Sequence, residues 1–146
     1  MANWNEPTEE ELAATLSQQE IDAYRGGGAV DGSDPVASLL RRVAALVRAW
    51  VSMGGRCKAI GPVGTIPDSL SVYAMDFTMG KVLNRLGVPL NEDRRKALEK
   101  AEDLLDKVAT GVIGVENYAE EEGEREEDLP ATGPGWAQAA PERRLD

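Results

Sequence analysis

Between residues 34 and 89 the sequence spaces its apolar residues with the period of an α-helix in two successive stretches. Asp34-Pro35 opens the first, a capping carboxylate followed by proline at the first helical position, where its missing N–H is not needed. Val36, Leu39, Leu40, Val43, Leu46, Val47, Trp50 and Met53 then recur at steps of three and four. This predicts one long amphipathic helix, stopped by Gly54-Gly55. Asp68 is read as the cap of the second helix, over about 69–86. Val72, Met75, Met79, Val82 and Leu86 form one apolar stripe there, and Leu70, Tyr73, Ala74 and Phe77 form another. A helix apolar on two faces needs neighbours on both, which places it in the middle of a bundle.

The remaining segments fit around that pair. Thr8-Glu9-Glu10-Glu11 and Ser17-Gln18-Gln19-Glu20 are two capping boxes nine residues apart, predicting short helices at about 9–15 and 18–24. Leu12, Leu16, Ile21 and Tyr24 supply their buried side, and Gly26-Gly27-Gly28 ends the second. Asn91 caps a last long helix with Ala97, Leu98, Ala101, Leu104, Leu105 and Val108 facing inward, ended by Gly111. Residues 112–118 read as a short strand or an extended crossing segment. We therefore expect an all-α fold: a small helical bundle over 8–118, with a flexible N-terminal arm at 1–7 and an extended acidic tail at 119–146.

The net charge is −10, and it is unevenly spread. Residues 1–25 hold six acids and one base, and 116–146 hold ten acids and three bases. The stretch between holds ten acids and twelve bases. Such a balance argues against tight nucleic-acid binding, which needs clustered cations. An anionic end on a near-neutral body suits either docking to a basic partner or simple solubilisation. The single cysteine, Cys57, allows no disulfide within one chain and fits a reducing compartment. The N-terminus does not read as a signal peptide, and no apolar run approaches the roughly 20 residues of a membrane span, so no membrane partner is expected.

The sequence offers little chemistry. There is no histidine, which removes histidine-based triads and metal sites, and no phosphate-binding glycine motif follows a strand. We expect no enzyme activity, no cofactor and no metal. Cys57 lies beside Arg56 and Lys58, which would lower a thiol pKa, but a loop cysteine without histidine is better read as inert. Asp76 stands out on the helix expected to be most buried. Burying a carboxylate is costly unless it is paired, so Asp76 is read as a structural polar residue held by Arg41, Arg42 or Arg48 or by backbone donors. The loop 54–67 is long and rich in glycine and proline, and exposes Arg56, Lys58, Ile60 and Val63 for a neighbouring subunit or a channel lining. In the tail, Glu121, Glu126, Leu129, Trp136, Arg143, Arg144 and Leu145 are the candidate partner-binding residues. Trp136 is either idle or an anchor for a partner's pocket.

The order of segments resembles the head–tail connector (head-completion, or adaptor) proteins of tailed bacteriophages, including the Mu-like group. It runs ELAATLSQQEIDAYR, DPVASLLRRVAALVRAWV, IPDSLSVYAMDFTMGKVLNRLG and NEDRRKALEKAEDLLDKVATGVI. Ile66, Pro67 and Asp76 match that family's Ile-Pro start and following aspartate, and Gly111-Val112-Ile113 matches its final glycine and apolar segment. The resemblance covers about 8–115. It implies a virion structural protein in the neck between capsid and tail, made in the bacterial host cytoplasm. Copies would form an oligomeric ring, usually a dodecamer, beneath the portal protein. The ring would extend the channel through which DNA passes without sequence-specific binding, and dock a stopper or tail-completion protein. The terminal tail would grip the portal. The competing expectation is an acidic regulatory module, an inhibitor or DNA mimic, acting on a basic partner.

Overall fold

A computed structural model describes residues 3–27 and 32–119. It is a small helical bundle with one minimal sheet. In chain order the elements are β1 (Trp4–Asn5), α1 (Glu9–Leu12), α2 (Gln18–Gly26), α3 (Pro35–Gly54), β2 (Ile66–Pro67), a 3-10 turn (Asp68–Leu70), α4 (Ser71–Leu86) and α5 (Glu92–Ala109). Helix α4 packs against α1, α2, α3 and α5, the central place its two apolar faces require. Both capping boxes form. Thr8 Oγ1 accepts from Glu11 N while the Glu11 carboxylate accepts from Thr8 N, and Ser17 and Glu20 repeat the exchange. Asp34 caps Val36 N, Pro35 follows, and Gly55 ends α3 at φ +71°. A left-handed residue there suits glycine, which lacks the Cβ that would clash.

Three boundaries differ from the sequence expectation. Helix α1 stops at Leu12 rather than 15, because Ser17 must be extended (φ −72°, ψ 158°) to cap α2 and the chain leaves the helix early to reach that geometry. Asp68 does not cap α4. It starts the 3-10 turn, which has no side-chain cap, and its carboxylate accepts from Asn5 Nδ2 at 2.9 Å. The largest difference lies at the N-terminus. The segment expected to be a loose arm outside the core pairs with the chain ahead of α4: Trp4 lies opposite Pro67 and Asn5 opposite Ile66, antiparallel. Trp4 is only 2 % exposed and belongs to the hydrophobic core. Burying an indole removes a large apolar area from water, enough to order a short arm.

Close backbone approach sets how α3 meets α5. A Cβ added at Gly54 would lie 2.1 Å from the Val108 carbonyl oxygen, and one at Gly111 would lie 2.9 Å from the Gly54 oxygen. Only glycine lets the two helix ends touch here. A bidentate ion pair ties the other end of α5 to α2. Arg94 Nη1 and Nη2 donate to Glu20 Oε2 and Oε1 at 2.8 and 2.9 Å, and Nη2 also donates to Thr15 O.

Candidate interaction surfaces

The loop after α3 is built from both ends of the described chain. Asn117 Oδ1 accepts from the amides of Lys58 and Ala59, and Tyr118 N donates to Ala59 O. Asn3 clamps the same segment, donating from Nδ2 to Asn117 O and accepting from Ala119 N at Oδ1. The Trp4 indole N–H donates to Glu116 O, and the Glu116 carboxylate accepts from Ser69 N and Oγ. Residues 114–119 therefore cross over the loop without forming a strand, after Val112 and Ile113 close the end of α5 with their amides on Lys107 O. Inside the loop, Arg48 Nη1 donates to Pro62 O and Thr65 O, and its guanidinium lies 5.9 Å from the Trp4 ring centroid.

This lattice divides the four loop residues singled out by sequence. Arg56 donates to Gly111 O and Val112 O, so its guanidinium serves the chain's own carbonyls. Lys58 is exposed, Ile60 is 38 % exposed and Val63 is 90 % exposed. Gly61, Thr65, Ile66 and Pro67 are the buried part of the loop; of these, Ile66 and Pro67 stand out in the sequence only through the resemblance. Burial pushes the Cys57 thiol pKa up, and the nearby Glu116 charge adds to the shift. Flanking cations do not produce a thiolate here.

Asp76 is half-buried, and among the described residues it has no hydrogen bond or ion pair. Loss of water pushes its pKa up. The expected arginine partners are engaged or directed elsewhere. Arg41 donates to Ser38 Oγ, Arg48 holds the loop, and Arg42 lines a groove with Tyr24 and Arg85. Helix phase explains this, because Arg41, Arg42 and Arg48 lie off the α3 stripe that meets the rest of the bundle.

Several apolar side chains stay in water. Met53 and Val112, 69 % and 63 % exposed, flank the Gly54–Gly111 contact. Val63 projects from the loop, and Val72 from the first turn of α4. A shallow groove of about 290 Å³ between α3, α4 and α5 is lined by Trp50, Phe77, Leu105 and Ala109, with Glu102 and Asp106 at its rim. The tail candidates Glu121, Glu126, Leu129, Trp136, Arg143, Arg144 and Leu145 lie outside the described residues. No described helix is long and apolar enough to cross a membrane. No family model, curated protein or solved structure matches the chain.

Proposed function

We propose that this chain is a head–tail adaptor, a structural subunit that assembles as a ring beneath a portal and presents a platform for a stopper or tail component. The observation that carries the reading is the apolar surface of an otherwise well-packed bundle. Met53 and Val112 cluster where α3 and α5 end, and Val63 stands on a loop that is rigidly held from behind. Exposed apolar side chains on a supported surface favour contact with another protein. The Ile66-Pro67 pair, which carries the sequence resemblance, joins the N-terminal arm to the entry of α4. Under this reading the loop and the α3/α5 end meet neighbouring subunits, and the acidic tail reaches the portal. Many weak tails on one ring would bind collectively, raising avidity by a factor on the order of 100 to 10,000.

The reading is tested by deleting 120–146 and measuring attachment to purified portal rings. Among the described residues the buried core runs from Trp4 to Val108 and is untouched by the deletion, so the truncated bundle should stay folded while attachment falls. Undiminished attachment would count against the tail's role. Failure of the full chain to bind portal rings at all would count against the adaptor reading.

A further inference from the structure

A groove of about 530 Å³ runs between α2, α3 and α4, and its charged lining is wholly cationic: Arg42, Lys81 and Arg85. Tyr24, Leu46 and Asn84 also line it. None of the three cations forms an ion pair among the described residues. Arg25, Arg94, Arg95, Lys96 and Lys107 all do. Lys81 Nζ sits 5.0 Å from the Phe77 ring centroid, Arg85 Cζ sits 5.5 Å from that of Tyr24, and Arg42 has no partner among the described residues. Three cations without a counter-charge repel one another, and in a chain of net charge −10 their collection in one groove calls for an anion.

The chain carries a suitable one. Residues 120–128 hold seven acids and one arginine, and they follow directly on Ala119, whose N–H is fixed by Asn3. Nine residues span at most about 30 Å. Ala119 is held by Asn3, whose carbonyl accepts from Asp68 N just ahead of α4; at 1.5 Å per helical residue Lys81 and Arg85 lie roughly 20 and 26 Å farther along, within that span. A short tether gives an effective concentration in the millimolar range, and a tethered segment needs no long-range attraction. A separate polyanion, such as nucleic acid, would be repelled by the net charge of the whole chain. We propose that the α2/α3/α4 groove is the docking site for the chain's own acidic segment 120–128, held by Arg42, Lys81 and Arg85 with Tyr24 and Leu46 as the apolar floor. This does not depend on the adaptor reading.

The test is ¹⁵N NMR of the full chain at low salt, set beside a free peptide of sequence 120–128. Docking predicts that the 120–128 amide resonances differ from those of the peptide. They should move toward the peptide values in R42E/K81E/R85E, and in about 1 M salt, where the Debye length shrinks to about 3 Å. They should not change on dilution. If the triple variant loses its folded dispersion, a second variant decides. Neutralising the seven acids to Gln and Asn lies outside the core and should shift the Arg42 and Arg85 Nε resonances. Native resonances already equal to the peptide's, or groove resonances indifferent to the neutralised segment, would overturn the proposal. A difference that disappears on dilution would assign the groove to a second copy and overturn docking within one chain.

Discussion

At the scale of single residues, the shifted pKa values of Glu20 and Asp76 pull stability in opposite directions. The Arg94 guanidinium, donating two hydrogen bonds, holds Glu20 down at about 2 against the cost of its burial. A folded pKa below the unfolded one adds stability that is complete above the ordinary glutamate value of 4.5 and is lost as pH falls toward 2. Glu20→Gln keeps the capping box, since glutamine serves at that position, but removes the charge pair. It should cost about 2 kcal/mol at neutral pH and flatten the acid limb of the melting profile between pH 4.5 and 2. An unchanged acid limb would show that the pair contributes nothing. Asp76 has the reverse sign. Its folded pKa is raised by desolvation, so ionisation penalises the fold above that pKa and the penalty vanishes in acid. Asp76→Asn should therefore melt higher than the parent at pH 7 and alike at low pH; a lower melting point at pH 7 would mean that the carboxylate is held by a favourable contact. From sequence alone the aspartate is readable as unusual, but its lack of a partner is not. Whether an arginine reaches it depends on the phase of α3 against α4, which no local pattern states.

At the scale of elements, what sequence discloses is what is local. The caps of α2, α3 and α5 and the central place of α4 follow from residues within a turn or two of each other. The β1–β2 pair does not, because each strand is two residues long and its partner lies about sixty positions away. The visible signal was a tryptophan in a polar arm, with Ile66-Pro67 waiting before α4. Trp4→Ala should cost about 3–5 kcal/mol, as loss of a buried aromatic does; it should also loosen residues 116–119, which Asn3 and Trp4 help to hold, and faster amide exchange at Tyr118 and Ala119 is the readout. A melt within experimental error of the parent would return the arm to the periphery. Two helix glycines give a paired test of packing. A methyl at Gly80 would lie 2.8 Å from both Leu98 Cδ atoms. Leu98 borders an open groove of about 340 Å³ into which it is free to turn. With alanine's helix preference of about 1 kcal/mol in its favour, Gly80→Ala should be close to neutral. At Gly54 the obstacle is the Val108 carbonyl, which is backbone and has no such freedom. Gly54→Ala should cost about 3 kcal/mol, the upper part of the overpacking range. Equal melting temperatures for the two variants would show that α3 and α5 slide freely at their crossing.

At the scale of the whole molecule, one bundle carries two unlike ends. The N-terminal arm, the loop and residues 112–119 form a single hydrogen-bonded unit around Asn3 and Asn117, a stiff platform with Met53 and Val112 on the outside of the α3/α5 end and Val63 farther back, beside Val36, Ala37 and Leu40 in the first half of α3. Beyond Ala119 the chain turns strongly acidic. On the adaptor reading the platform meets neighbouring copies and the acidic end meets the portal, and a segment parked in the α2/α3/α4 groove would be released on arrival. The platform was only partly legible beforehand. Loop length and the exposure of Val63 follow from composition, whereas the support beneath the loop comes from contacts between residues more than fifty positions apart. The ring itself is tested most directly by cryo-electron microscopy of phage particles assembled with and without this chain. The account predicts a ring of density immediately beneath the portal, into which residues 3–119 fit with the α3/α5 end at the contact between copies, and which is missing when the chain is withheld. Necks that are identical in both preparations would contradict it.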